Sequence, residues 1–403
     1  MQELYANTTF KLFLKEIEAL GFTVSDSPKP GSLPYGVIGG RSNARWWLVP
    51  LTNRNVTTSG LALFQPILTS AKILKTAATT FSAIGLSRFW AKNIIHIACP
   101  PVFSDLFKSD GLHYAFFTGT DCPHRKAAVQ IMDQEGRIKG FAKVTKNTAV
   151  KPLLKHETEI LNSLNTLDLK TALIPKVLFC GEINGAEALI TDSLKTAKSK
   201  TVTTLKEAHI AFLRELAEKS AVPATVRHDG FMDELRKQYD TVAEKLTFEW
   251  QQRLEKAMTL MAATDVDLRT KSLSHGDFTP WNTFFAKDRL YVFDWEYAQQ
   301  GVPPGYDLIH FHLSLPKVKR QSVHKTIGEI RKQCLDMRFA DEDADSDILL
   351  LCYLCGQSMR HITREPDDCL KVTAWDGEKE SAVLTDTIIE RMNCVKIQQH
   401  TLM

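Results

Sequence analysis

The segment SLSHGDFTPWNTFFAKDRLYVFDWEYA (272–298) gathers the side chains best able to do chemistry, with His275, Gly276, Asp277, Asn282, Asp294 and Glu296 spread over a loop, a strand, a turn and a second strand. Asp277 and Asn282 stand five residues apart in one loop, so a carboxylate and an amide can face one cation from two sides. The apolar run Leu290, Val292, Phe293 then leads to a second carboxylate, Asp294, on the hairpin strand that follows. Phosphoryl transfer asks for such a set. A carboxylate must accept the attacking hydroxyl's proton, and hard oxygen ligands must hold the Mg²⁺ that binds nucleotide phosphates.

Such residues work only if other elements position them, and the pattern upstream supplies a small α+β lobe. HYAFFTG (113–119) and AAVQIMD (127–133) are β-rich runs, QEGRIKG (134–140) carries turn residues, and FAKVT (141–145) reads as a third strand of an antiparallel meander. KPLLKHETEILNSLNTL (151–167) has the apolar period of a helix, and KVLFCGE (176–182) and EALITDS (187–193) read as two further strands. Beyond about residue 195 the pattern is mainly helical, at 203–221, 229–264, 306–314, 347–362 and 382–396, and is interrupted by the chemical island.

H-G-D-x-x-x-x-N followed by D-W-E resembles the signature of the aminoglycoside phosphotransferase and choline kinase-like superfamily. That resemblance implies a two-lobed protein-kinase-like α+β fold, with a five-stranded antiparallel N-lobe carrying one helix (106–193) and a mainly helical C-lobe (194–403) whose catalytic loop spans 273–296. It implies Asp277 as catalytic base, Asn282 and Asp294 as Mg²⁺ ligands, and His275, Glu296 and Asp307 as supporting residues. ATP is the expected cosubstrate, and the sequence does not separate it from GTP.

A kinase lobe of this kind offers a strand lysine to the phosphates and a helix carboxylate to hold it. Lys143 shares a strand face with Phe141 while Ala142 and Val144 point the other way, which favours the inside of a cleft. Glu157 falls on the apolar stripe with Leu153, Leu154, Ile160, Leu161 and Leu164, and Glu159 falls mostly outside it, so Glu157 is the expected partner. FTGTDCPHRK (117–126) stands where a phosphate-covering turn belongs; it has Gly119 but no G-x-G-x-x-G, leaving backbone N–H groups with Thr118, Thr120 or Arg125 to meet phosphate. Leu189 to Asp192, including Ile190, is the expected connector whose backbone pairs with adenine.

The chain has 403 residues, 50 Lys+Arg against 47 Asp+Glu, 44% hydrophobic and 24% charged residues, the profile of a globular protein large enough for more than one domain. Its charge is uneven. Between Asp26 and Asp105 there is no acidic residue, while Lys29, Arg41, Arg45, Arg54, Lys72, Lys75, Arg88 and Lys92 lie there. Residues 1–105 are therefore expected to form a basic N-terminal accessory domain. Ile67, Leu68, Leu74, Phe81, Ile84, Phe89 and Trp90 recur there at roughly helical spacing among the basic residues. Nucleic-acid motifs are absent, so an anionic small ligand or an anionic membrane face is the expected partner of residues 27–104.

Eight irregularly spaced cysteines and a start without a secretory pattern point to reduced thiols and a cytoplasmic address, peripheral at the membrane if the basic segment docks there. Cys352 and Cys355 read as buried thiols on a helix, and His310 and His312, two apart, lack metal-pair spacing. The expected activity is transfer of a γ-phosphate from ATP to a small-molecule hydroxyl, a saccharide or saccharide-containing intermediate. An aminoglycoside-type antibiotic kinase and a kinase-fold scaffold without turnover are the alternatives.

Overall fold

The computed structural model describes residues 2–40, 44–66, 69–199, 202, 204–221, 230–263, 271–363 and 377–401. Arg41, Ile67 and Leu68 of the basic segment lie outside these residues. In chain order, α1 (Gln2–Ala6) and α2 (Thr8–Ala19) precede β1 (Thr23–Ser25), β2 (Ser32–Gly40) and β3 (Arg45–Pro50). Next come α3 (Arg54–Gly60), α4 (Thr69–Ala83), β4 (Asn93–Ala98), α5 (Ser104–Phe107), β5 (His113–Phe117), β6 (Ala127–Met132) and β7 (Ile138–Thr145). They are followed by α6 (Lys151–Thr166), β8 (Ala172–Leu173), β9 (Val177–Ile183), β10 (Ala186–Asp192), α7 (Glu207–Lys219), α8 (Phe231–Val242), α9 (Phe248–Ala262) and β11 (Ser272–Ser274). The chain ends with β12 (Thr283–Ala286), β13 (Arg289–Val292), β14 (Gln299–Val302), α10 (Tyr306–Ser314), α11 (Val323–Asp336), α12 (Asp343–Thr363) and α13 (Glu378–Thr401).

Two compact units result, one made of residues 1–168, 172–201 and 284–296 and the other of 169–171, 202–283 and 297–403. The first is built on a nine-stranded sheet in the order β1-β4-β2-β3-β5-β6-β7-β10-β9. Its last five members are the five antiparallel strands expected from the sequence, with α6 between the third and fourth. The β12–β13 hairpin pairs with β8 in a small sheet of its own.

The N-terminal residues correct the expected domain boundary. Strands on both sides of position 105 belong to one ladder, because β3 pairs with β5 through Trp47–Phe117 and Leu48–Phe116. Phe10, Phe13 and Ile17 of α2 share one core with Phe116 of β5, Val129 of β6, Val144 of β7 and Ala188 of β10. The expected accessory domain is thus an extension of the first unit's nine-stranded sheet plus the helix that covers one of its faces. Only Thr69–Ala83 of the expected basic helical stretch is α-helix, and Gly85, at φ +83, turns the chain just past its end.

The second unit is mainly helical, and two of its helices differ from expectation. The stretch 229–264 is split where Thr247 caps α9 by accepting from the Trp250 N–H at 3.4 Å. Helix α11 had no counterpart in the sequence reading, and Ser322 caps its start in the same way. Cys352 and Cys355 are buried on α12, as expected, and burial pushes the Cys355 thiol up to about 12.

Candidate active site

In the first unit, β7 alternates so that Ala142 and Val144 enter the core under α2 and Lys143 turns to the opposite face with Phe141. The Lys143 ammonium donates to Glu157 Oε2 at 2.5 Å and to Asp294 Oδ1, with Glu296 Oε2 at 3.5 Å. Glu157 sits on the buried stripe of α6 with Leu154, Leu161 and Leu164, whereas Glu159 is exposed, so helix geometry selects Glu157 as the lysine's partner. Its second oxygen accepts the Trp295 N–H at 3.1 Å. Lys126 pairs with Glu296.

Burial alone would lower the Lys143 pKa; Asp294, Glu157 and Glu296 reverse that and hold the ammonium well above its ordinary range. Burial pushes the Glu157 carboxyl up, and Lys143 opposes that shift. Asp294 adopts a left-handed backbone at φ +72, a strained conformation for a residue with a Cβ. Oxygens of Glu157, Asp294 and Glu296 lie within 4.8 Å of one another, a hard donor set of the kind that Mg²⁺ takes.

The turn before β6 is braced by the N-terminal extension. Gly119, at φ +85, approaches the Lys126 carbonyl so closely that a side chain there would collide with it. Thr118 Oγ1 accepts the Trp46 N–H at 3.1 Å, and Thr120 is half-buried beyond Gly119. Arg125, expected among the phosphate contacts, is turned inward instead. It is buried and donates to Glu16 Oε1 of α2 at 2.5 Å and to the Thr118 carbonyl at 2.7 Å. Thr9 of α2 donates to Asp121 Oδ1 at 3.0 Å.

Ile190 and Asp192 also differ from expectation. Both are strand residues: Ile190 pairs with Ala142 on one side and Phe179 on the other, and the Asp192 N–H donates to the Lys176 carbonyl at 3.0 Å. Their backbone groups are used by the sheet, and the Asp192 carboxylate accepts the Lys176 N–H at 2.7 Å. The segment that leaves the sheet begins at Ser193. Lys195 within it is buried, with Nζ 5.6 Å from the centroid of the Phe141 ring and 5.9 Å from that of Phe293. Burial, reinforced by Lys75 of α4, pulls the Lys195 pKa down to about 7.

In the second unit, β11 delivers the His275–Asn282 loop. Asp307, expected as a supporting residue, lies in the first turn of α10 and is buried there. Its carboxylate accepts Ser274 Oγ at 2.9 Å, the His275 N–H at 2.6 Å and the Gly276 N–H at 3.0 Å. Gly276, at φ +76, passes so close to the Tyr297 carbonyl that no Cβ fits. His275 Nδ1 accepts the Asp277 N–H at 3.2 Å. The Asn282 amide donates to the Asp277 carbonyl and to its Oδ2, both at 2.9 Å.

The other carboxylate oxygen, Asp277 Oδ1, meets His310 Nε2 at 3.0 Å, and His310 Nδ1 meets the Tyr353 hydroxyl at 2.9 Å. With its proton on Nε2, the imidazole donates to Asp277 and accepts from Tyr353. Sequence reading weighed His310 only as half of a metal pair. The usable signal was its position on the helix that also carries Asp307; His312 points elsewhere, toward Glu329 at 3.5 Å.

Residues 133–332 match the sequence pattern of the phosphotransferase enzyme family (APH), a span that contains every charged group described around Lys143 and Asp277 except Lys126. This segment belongs to that family. The antiparallel sheet of the first unit and the helices of the second are of the α+β class expected from the sequence. Among curated proteins no match is found.

Among solved structures, an ADP-bound aminoglycoside phosphotransferase APH(2'')-Ib is 18% identical with a TM-score of 0.46, covering 72% of this chain and 97% of that one. A thermostable mutant of aminoglycoside phosphotransferase APH(4)-Ia, in a ternary complex with ADP and hygromycin B, is 12% identical with a TM-score of 0.46, covering 72% and 96%. A putative fructosamine-3-kinase from Haemophilus somnus 129PT is 13% identical with a TM-score of 0.45, covering 72% and 95%.

Proposed function

We propose that the protein is an ATP- and Mg²⁺-dependent kinase that moves the γ-phosphoryl group to a hydroxyl of a saccharide or saccharide-containing small molecule. The observation that carries this reading is the half-buried Lys143 ammonium held at once by Glu157 and Asp294. A lysine fixed between a helix carboxylate and a hairpin carboxylate is the arrangement that phosphoryl transfer uses to orient nucleotide phosphates. Lys143 orients those phosphates in this reading, and Glu157 keeps its ammonium in place. Mg²⁺, when bound, supplies charge neutralisation at the phosphates. Asp294 with Glu296 would hold it, and the Asn282 amide oxygen would serve a second ion. Asp277 accepts the proton of the attacking hydroxyl, its carboxylate aimed by Asn282 and His310.

Pairing within the acidic run 341–347 supports a neutral or anionic acceptor over a polycation. A cationic antibiotic or choline would call for several unpaired carboxylates, yet the acidic run 341–347 is engaged locally. Asp343 pairs with Arg331 at 2.7 Å, and Asp347 lies between Arg331 at 3.2 Å and Arg391 at 3.3 Å.

The test is a phosphoryl-transfer screen with Mg·ATP over sugars, amino alcohols and aminoglycosides, using Asp277→Asn as the blank. Transfer to a saccharide is expected to fall by about 10³-fold or more in the variant, with ATP affinity unchanged. A variant that transfers at the wild-type rate, or a wild type that binds Mg·ATP yet phosphorylates only amino alcohols or aminoglycosides, would sink the reading.

A further inference from the structure

Helix α4 buries one side and leaves the other bare. At 100° per residue, Ala71, Ala78 and Ser82 fall on one side of the helix, and Ile73, Leu74 and Phe81 fall within about 100° of one another along one flank of that side and round to its back. Ala78 is fully buried and Ala71 partly so, against Ile38, Val49, Leu61 and Phe64 of the first unit. Ile73 is 65% exposed, Leu74 46% and Phe81 37%.

The apolar strip continues past the helix end. Ile84, Leu86 and Phe89 are 54%, 41% and 70% exposed, and the Phe89 ring stacks on Phe81 with centroids 5.9 Å apart. These six make up half of the twelve large hydrophobic side chains exposed among the described residues, and they lie within positions 73–89. Scattered single hydrophobics on a surface need no explanation; a contiguous cluster does.

The charged side chains of the strip's own segment are of one sign. Lys72 on α4, Lys92 just beyond Trp90 and Arg54, whose guanidinium lies beside Gly85, are exposed. No acidic residue occurs anywhere from position 27 to position 104. Nucleic acid would use the cations but would have no use for six exposed aliphatic and aromatic side chains. A second copy of the chain would meet the same positive field. An anionic bilayer satisfies both features, since apolar side chains enter the acyl boundary while the cations stay at the headgroups.

We infer that α4 and the turn after it, residues 72–92, are a docking surface for an anionic lipid membrane. This goes beyond the proposed transfer reaction and does not depend on it, because membrane binding is measured without turnover. It would bring the site to an acceptor held at a bilayer.

The experiment is cosedimentation of the full chain with phosphatidylcholine vesicles, with and without phosphatidylserine, at low and high salt. Ile73→Ser/Phe89→Ser and Lys72→Glu/Lys92→Glu serve as variants. These side chains are exposed, and near-UV circular dichroism with a thermal melt checks that each variant folds. The wild type is expected to bind phosphatidylserine vesicles at low salt and to lose binding at high salt. The serine variant should lose about tenfold or more in affinity, and the charge-reversal variant about fivefold or more for each position changed. Failure of the wild type to bind phosphatidylserine vesicles at low salt, or equal binding by all three proteins, would overturn the inference. So would a dimer in sedimentation equilibrium that the serine variant dissociates, which would assign the strip to a second copy of this chain.

Discussion

Around Lys143, charged side chains from β7, α6 and the chain after β13 hold one another through Coulomb attraction in a buried setting. Around Asp277, the loop is shaped mostly by backbone N–H groups and one hydroxyl that converge on a single carboxylate, Asp307. The first arrangement places opposite charges at positions distant in sequence, so losing one partner leaves the others uncompensated. The second is a scaffold of neutral donors, so losing its acceptor should loosen the loop without disturbing the surrounding charge. Functional groups can therefore be fixed either by mutual charge or by a common acceptor, and the two respond differently to substitution.

The largest separation of the two modes is expected from Lys143→Met. It removes the cation between two carboxylates and should lower kcat/KM by about 10²–10³-fold, on the order of 3–4 kcal/mol of transition-state stabilisation. Combining it with Glu157→Gln should cost far less than the sum of the two, with a coupling of about 1 kcal/mol or more in a double-mutant cycle on kcat/KM. Strict additivity would mean that charge does not organise this region.

Asp307→Ala should act mainly on stability. Leaving two backbone N–H groups and the Ser274 hydroxyl without their acceptor is expected to cost about 2–3 kcal/mol in urea denaturation. Binding of ATP without added metal, assigned to the Lys143 region, should change little in the same variant. If ATP affinity collapsed while stability held, the division between the two regions would fail.

The smallest expected effect concerns Lys195, a buried cation with a like charge, Lys75, as its electrostatic neighbour. An ordinary lysine titrates near 10.4, so between about pH 7 and pH 10 the unfolded chain keeps a proton that the folded chain has released. More protons on the unfolded state means that stability rises with pH across this window. Lys195→Met should thus stabilise the protein by about 1–2 kcal/mol at pH 7, with the gain shrinking toward pH 10. Denaturation curves at the two pH values check this, and a variant less stable than wild type at pH 7 would contradict it.

The chemical island was readable because its residues are close in sequence: Asp277, Asn282 and Asp294 lie on one loop and the hairpin after it. Lys143 and Glu157 were readable because strand and helix periods each give a face, and the charged residue on that face needs a partner. The N-terminal strands were not, because their pairing is non-local. β2 lies between β3 and β4, β1 reaches the sheet only through β4, and the buried Trp46, Leu48 and Val49 make sense as a strand only once these partners are known. Ile190 and Asp192 were misplaced because a β-rich run gives no sign of where its pairing stops. His310 was passed over because it was read against His312, two residues on, and not against Asp307, three residues before it on the same helix.

The union of α2 with the sheet also bears on how the chain is made. Phe10 and Phe13 are synthesised well before Ala188 and Ile190 of β10, which share their core. Synthesis adds on the order of 5–20 residues per second, so the aromatic stripe of α2 waits on the order of ten seconds or more for the last strand of its core. During that interval its stripe can be covered only by the strands already made, through Trp46, Phe116, Val129 and Val144, so the core closes in stages and not at once.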